Sequence, residues 1–176
     1  VISFEFGLLW PEFTGRFGKV FGVLFAVEGI FFFLEAIFVS IYIFGWRRLA
    51  PWTHFWSGVP IPLLGIGGAF SVVAVNSWMN QPDGFKLASD GTVTDVSPLD
   101  AFFNGAVAYE APHLILAAYL VTGFLVASIY AVGMLRGRRD RHHRLGLLIP
   151  LTVGCILAPI QFLVGDTAAR EIAKDQ

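Results

Sequence analysis

Four long blocks of apolar residues alternate with short polar segments along this chain. The blocks cover residues 20–46, 55–79, 113–135 and 145–164, and the last three contain no Asp, Glu, Lys or Arg. A helix needs about 20 mostly apolar residues to cross a bilayer, where it satisfies its own backbone hydrogen bonds. The pattern predicts an all-α, polytopic membrane helix bundle with four transmembrane helices, forming a single transmembrane domain over residues 1–176.

Basic residues predict how the helices are oriented. The loops 47–54 and 136–144 hold seven of the 12 Lys and Arg residues, and four spans place these loops on one side. That side is predicted to be cytoplasmic. The loop 80–112, the N-terminal segment and the segment after residue 164 are then predicted to lie outside. Four tryptophans fall near predicted interfaces, where such rings are common: Trp46, Trp52, Trp56 and Trp78.

Composition narrows the functional classes. Hydrophobic residues make up 56% of the 176, charged residues 14%, and the net charge is -1. A disordered chain needs low hydrophobicity, and a nucleic-acid binder needs excess positive charge, so the bilayer is the expected partner and nucleic acid is not. The chain opens on an apolar stretch without an initiator Met, and we therefore expect a fragment of a larger subunit.

The outer loop and the second span contain recognisable local signals. Ser97, with Asp100 three residues later, is a loose version of the capping box and predicts a short helix. The glycine-rich run 65–68 lies mid-span, not between a strand and a helix, so it does not resemble a nucleotide loop. Small residues there permit close helix packing or leave room for a bulky cofactor.

Two acidic residues interrupt the first span. Glu28 and Glu35 are seven residues apart, which is nearly two turns, so both carboxylates lie on one stripe about 10 Å apart along the axis. A carboxylate inside the bilayer costs several kcal/mol unless it is paired, protonated or hydrated. The stripe therefore predicts a proton path or a polar cavity for a charged cofactor; the structural alternative is that each residue meets a polar partner on another helix.

His113 opens the third span and is the candidate metal or haem ligand, because neutral imidazole commonly binds iron. The alternative is an ordinary polar residue at the membrane interface. Asn76 and Gln161 are polar groups inside spans and are predicted to hydrogen-bond between helices. The remaining histidines are read as loop and interface residues, and the cysteine as inert packing: His54, His142, His143 and Cys155.

Taken in order, these segments resemble subunit I of cytochrome bd-type quinol oxidases. The resemblance includes Glu28-Gly29 and Leu34-Glu35, the motif VNSWMNQP at residues 75–82, a helix opened by His113, and Gly165-Asp166. It covers essentially the whole chain, as a central piece of that subunit. The segments FFFLEAIF and GWRRL are most similar to the cyanide-insensitive branch.

The resemblance implies a terminal oxidase of the bacterial cytoplasmic membrane that oxidises quinol outside and reduces dioxygen to water, electrogenically. It implies low-spin and high-spin haem b, with haem d or a further haem b, and a second large membrane subunit. His113 resembles the axial ligand of the low-spin b-type haem, and Glu28 and Glu35 resemble the acidic pair that conducts protons. The fragment alone is expected to be inactive, because other haem ligands and most of the quinol loop lie outside it.

Two departures from the family pattern accompany the resemblance. The best-known members space the acidic pair by eight residues instead of seven, and they have a Lys where this chain has Glu110. Two other classes remain open. A proton-coupled secondary transporter would use the acidic pair but has no need of His113, and a non-catalytic membrane scaffold would tolerate the loss of both carboxylates.

Overall fold

The computed structural model describes residues 2–175 of the chain, and the side chains of residues 5–174. It consists almost entirely of helices, with one short hairpin between the second and third long helices. In chain order the elements are α1 (Ile2–Leu9), α2 (Pro11–Gly45), α3 (Pro51–Gly58), α4 (Pro60–Asn80), β1 (Lys86–Leu87), β2 (Val93–Thr94), α5 (Pro98–Phe102), α6 (Val107–Leu135) and α7 (Arg141–Asp175).

Four helical segments of the described chain are long and apolar enough to cross a membrane, which confirms the predicted fold class. They are Pro11–Gly45, Pro51–Asn80, Val107–Leu135 and Arg141–Lys174. Most of their apolar side chains point away from the other described helices; Phe32 and Phe162, for example, are 70% and 76% exposed. Such surfaces are compatible with lipid or with further helices.

The helices extend beyond the apolar blocks that predicted them. α2 begins at Pro11 and continues through Arg16 and Lys19, whereas the predicted span begins at residue 20. Pro at the first helical position has the required φ and lacks only an N–H that would be unpaired there. At the other end, α7 continues through Asp166 to Asp175. The apolar run indicates which residues fit inside the lipid bilayer. The helix itself extends farther, because the charged residues that follow also support helical structure.

The described chain clusters into two compact units, divided between Ala108 and Tyr109. In the first unit, α2 packs against α4 around an aromatic cluster. Trp78 is only 2% exposed; its ring lies 5.7 Å from that of Phe21 and 5.9 Å from that of Phe85, and its N–H donates to the carbonyl of Asp83 at 2.8 Å. The ring of Trp78, which was predicted to lie near a membrane interface, is thus buried inside the unit, whereas Trp46 is 65% exposed.

The loop between α4 and α6 packs onto the same end of the first unit as the start of α2. Arg16 donates from Nη2 and Nε to the carbonyl of Gly91, at 2.6 and 3.1 Å. Buried Asn104 donates to the carbonyl of Ala74 at 3.1 Å and accepts from the N–H of Val107 at 3.2 Å, so it caps the start of α6. The Arg16 bonds hold this loop against the start of α2 at one end of the first unit.

α5 confirms the short helix expected after Ser97, but the predicted capping box is absent. Ser97 occupies the N-cap position and makes no side-chain capping bond. Pro98 at the first turn and the N-terminal position of Asp100 still favour the helix. The backbone N–H of Ser97 instead donates to the carbonyl of Gly84 at 2.7 Å, because the preceding turn folds back against α5.

Glycines in α4 allow close contact with α2. A Cβ on Gly67 would lie 2.6 Å from Cε1 of Phe31, and one on Gly68 would lie 3.7 Å from its Cβ. The ring of Phe31 therefore fills the space left by the glycine-rich run. Of the two alternatives for this run, close helix packing is the one that the structure contains.

The second unit is the antiparallel pair formed by α7 and the main part of α6. The helices approach closely at Gly123, where a Cβ would lie 3.0 Å from the carbonyl oxygen of Pro150. At the turn between them, Asp140 accepts from the N–H of His143 at 3.0 Å. This bond lowers the pKa of the Asp140 carboxyl. The cap therefore contributes stability at neutral pH and loses it when acid protonates the carboxyl.

Two glycines with positive φ provide a test of the packing between the loop and α5. Gly84 has φ +76, and a Cβ there would collide with the carbonyl of Ser97 and lie 2.6 Å from the N of Ala101. Gly137 has φ +91, but nothing lies within 4 Å of its Cβ position. We expect Gly84→Ala to destabilise the protein by about 2–5 kcal/mol, from backbone strain plus overpacking. Gly137→Ala should cost only the strain, about 1–2 kcal/mol.

Thermal unfolding of the full-length protein in detergent measures the difference. The unfolding midpoint is expected to be highest for the wild type, lower for Gly137→Ala and lowest for Gly84→Ala. Equal midpoints for the two variants would show that the loop does not pack against α5 as described.

Candidate functional site

Glu28 and Glu35 lie on one stripe of α2, and both are half-buried. Neither carboxylate has a hydrogen-bond or ion-pair partner in the described part of the chain. The structural alternative, in which a residue of another helix pairs with each carboxylate, therefore finds no support within residues 2–175. Both side chains keep the full bonding capacity of a carboxyl group for a proton, water or a ligand.

Gly65 brings Glu35 close to the backbone of α4. A Cβ at Gly65 would lie 3.3 Å from Oε1 of Glu35. One turn earlier on α2, Phe31 lies against Gly67, so the two helices run antiparallel in this register. Because glycine has no side chain, the carboxylate meets neither a polar partner nor an apolar side chain there. The sequence analysis singled out both the glycine run and Glu35, but not their contact.

His113 lies near the start of α6, directly after Pro112, and its side chain is exposed. The carboxamide of Gln161 on α7 reaches it. Nε2 of Gln161 lies 3.1 Å from Nδ1 of His113, 3.4 Å from its Nε2 and 3.1 Å from its backbone oxygen. The prediction that Gln161 hydrogen-bonds between helices is thus confirmed, and its partner is the candidate ligand.

Gly165 forms the second part of this contact. It follows Gln161 by one helical turn on α7, and a Cβ there would lie 3.3 Å from Cε1 of His113 and 3.5 Å from Nδ1. The imidazole therefore lies against the bare backbone of α7 at Gly165, with the carboxamide beside it. Two residues four apart on one helix are a visible sequence signal, but nothing in the sequence says which residue of α6 they meet.

The other polar candidates have structural partners. His54 has Nε2 2.9 Å from the carbonyl oxygen of Tyr42 and stacks on that ring, and His143 has Nδ1 2.6 Å from Oδ2 of Asp140. His142 has Nε2 3.2 Å from the hydroxyl of Tyr130. These contacts agree with the reading of the three histidines as loop and interface residues.

Within the described part of the chain, Asn76 bonds along its own helix and not across to another. It is exposed, and its Oδ1 accepts from Asn80, one turn later on the same helix, at 3.4 Å. The predicted bond between helices is therefore not found among the described residues, because Asn76 is exposed on α4 whereas its neighbours Val75 and Ser77 are buried. Cys155 is exposed on α7 and is not packed against the described helices.

The exposed imidazole of His113 is the side chain that would hold a haem iron, because a ring nitrogen is a common iron ligand. Gln161 and Gly165 contact the ring of His113 from α7. No group of three or more His, Cys, Asp or Glu residues that could hold a metal ion occurs among residues 2–175. A single histidine of this kind would be able to act as one protein ligand of a haem iron.

The family model for cytochrome bd terminal oxidase subunit I matches residues 1–176. The chain belongs to this family. The match confirms, over the full length of this chain, the cytochrome bd-type family that the sequence motifs indicated. Membership also makes it a protein of bacterial membranes and associates it with haem.

Individual relatives agree with this assignment. The chain is 36% identical over 179 residues to a Bacillus subtilis (strain 168) protein assigned as a cytochrome bd menaquinol oxidase subunit I, covering 98% of this chain and 40% of that protein. It is 27% identical to the cytochrome bd-II ubiquinol oxidase subunit 1 of Escherichia coli (strain K12), covering 99% of this chain and 34% of the relative.

A solved bd oxidase from Geobacillus thermodenitrificans has the same fold, with a TM-score of 0.88 at 32% identity. The match covers 95% of this chain and 39% of that structure. The chain thus spans about two fifths of the length of the relatives that it matches.

Proposed function

We propose that this chain is the central part of a quinol:dioxygen oxidoreductase, in which quinol is oxidised and dioxygen is reduced to water. The match of the family model to residues 1–176 carries the proposal. The relatives are named as menaquinol and ubiquinol oxidases, so the substrate class is a quinol. The reaction is assigned to the complete oxidase, with its second large membrane subunit.

His113 is proposed as an axial ligand of the low-spin b-type haem. The exposed imidazole at the start of α6 and its support from α7 favour this role. When bound, haem supplies the one-electron and dioxygen chemistry. The chain's own part is to hold His113 in a fixed orientation and to keep the surroundings apolar. High-spin haem b and haem d, or a further haem b, are proposed to bind elsewhere in the complete protein.

Glu28 and Glu35 are proposed to conduct protons to the oxygen site. Their common stripe, half-burial and lack of partners among the described residues support a relay. A carboxyl group that is not held in an ion pair can accept a proton on one oxygen and release it from the other. At about 10 Å along the axis the two groups need water between them, since direct transfer requires hydrogen-bond contact.

The sidedness proposed from the basic residues fits this chemistry. Loops 47–54 and 136–144 face the cytoplasm, and loop 80–112 and the C-terminal end face the outside. Quinol is proposed to bind beyond Asp166, on the side where α6 begins with His113. Protons released there leave to the outside, while protons for water formation enter from the cytoplasm. This separation makes the reaction electrogenic.

The haem assignment predicts the effect of His113→Ala in the full-length oxidase. The low-spin haem b bands should disappear from the reduced-minus-oxidised absorption spectrum of membranes, because an axial bond is lost. His54→Ala is the control, since His54 contacts Tyr42 and should leave the bands intact. Unchanged low-spin bands in His113→Ala would remove His113 from the proposed site.

The relay predicts that Glu28→Gln and Glu35→Gln each lower quinol-dependent oxygen consumption by about tenfold or more, since a general acid–base group contributes about 100-fold or more. Glutamine keeps the shape but cannot carry the proton. Glu12→Gln, at the exposed start of the same helix, is the matched control. Full oxygen consumption in both relay variants, at normal haem content, would show that the stripe is structural.

A further inference from the structure

We propose that Gln161 is the positioning residue of His113 and that it accepts a hydrogen bond from Nδ1–H when Nε2 binds iron. This inference rests on the proposed role of His113 as a haem ligand. It begins from the contact across the helix pair, where one carboxamide lies within 3.4 Å of both ring nitrogens and the backbone oxygen of the same histidine. No other side chain of the described residues hydrogen-bonds the ring.

The number of hydrogens on the imidazole decides whether Gln161 must donate or accept a hydrogen bond. A neutral imidazole carries one N–H, so a ring that binds iron through Nε2 carries its hydrogen on Nδ1. That N–H requires an acceptor, and a ligating histidine almost always has one. Nδ1 is also the ring nitrogen nearest to Gln161, at 3.1 Å.

Gln161 has an unused acceptor. Its Oε1 is buried and has no hydrogen-bond partner among the described residues, while its Nε2 faces the ring and the His113 carbonyl. In this arrangement Nε2 can donate only to the ring nitrogen that lacks the hydrogen, and when that nitrogen is Nδ1, the hydrogen stays on the nitrogen proposed to bind iron. Turning the carboxamide presents Oε1 to Nδ1–H and stabilises the ligating form. The backbone oxygen of His113 lies inside α6, so it retains its helical hydrogen bond.

Gly165 limits where the ring can lie while this happens. Because a Cβ would lie only 3.3 Å from Cε1, the imidazole rests directly on the α7 backbone. A glycine and a glutamine one turn apart thus fix the position of the ring and the direction of its N–H. A fixed and more basic ligand favours ferric iron and so sets the midpoint potential of the haem.

Two substitutions at residue 161 separate this role from simple packing. Ionised Glu accepts a hydrogen bond but cannot donate one, so Gln161→Glu should keep the low-spin haem. When the sample is held at the midpoint potential of the wild type, the ratio of reduced to oxidised haem in this variant should be lower by roughly threefold or more. Leu does neither, so Gln161→Leu should raise this ratio or reduce the haem content. Thr152→Val, an exposed position on the same helix, is the control and should leave the ratio unchanged.

The measurement is a redox titration of the low-spin haem bands in membranes holding the complete oxidase, read together with haem content. Gly165→Ala gives a second measurement if a residue 161 variant does not assemble; it should broaden or shift the bands because the ring must move. Bands and ratios equal to wild type in Gln161→Glu, Gln161→Leu and Gly165→Ala would overturn the inference. So would a shift of the same sign in Gln161→Glu and Gln161→Leu, which indicates packing alone.

His113→Ala distinguishes failure of this inference from failure of the proposed function. If His113→Ala leaves the low-spin bands intact, the ligand assignment fails and Gln161 has no haem to tune. If His113→Ala removes the bands while every Gln161 and Gly165 variant behaves as wild type, only the positioning role fails.

Discussion

The exclusion of water from the bilayer is the constraint on which the rest of this structure depends. A backbone polar group without a partner costs several kcal/mol there, so the chain crosses as helices that pair all their interior N–H and C=O groups. The same constraint confines charge to the loops. Of the 25 charged residues, only Glu28 and Glu35 lie inside the predicted apolar blocks. Because a charge inside the membrane carries this cost, these two carboxylates are the first candidates for a functional role.

Glycines lie beside the candidate functional side chains within that apolar framework. Gly65 leaves the space beside Glu35 without a side chain, Gly67 accommodates the ring of Phe31, and Gly165 lets His113 rest on α7. In lipid, close approach between helices depends on small residues, because apolar side chains gain little by leaving lipid tails. A glycine has only a hydrogen in place of a side chain. It therefore permits close packing and also leaves room for a carboxylate or an imidazole next to the backbone.

Polar residues inside the spans differ in the partners with which they bond. Asn76 faces outward and bonds within its own helix, whereas Gln161 reaches across to His113. Trp78 is buried in an aromatic cluster, although its position near a span end predicted an interfacial ring. In each case the residue type was informative about chemistry, and the direction in which the helix face points decided which partner it meets.

Much of the fold was accessible from the sequence because the bilayer imposes one strong rule. Continuous apolar blocks of about 20 residues fix the number of helices, and the motifs around Glu28, Glu35 and His113 point to the family. The ends of the helices were harder to predict, since α2 and α7 continue through charged residues. Hydrophobicity indicates which residues fit inside the membrane, but it does not indicate where the helical backbone hydrogen bonds end. The tertiary structure alone decided that Gly65 borders Glu35 and that Gln161 and Gly165 hold His113. Those contacts join residues far apart in the chain, and only the packing of one helix on another brings them together.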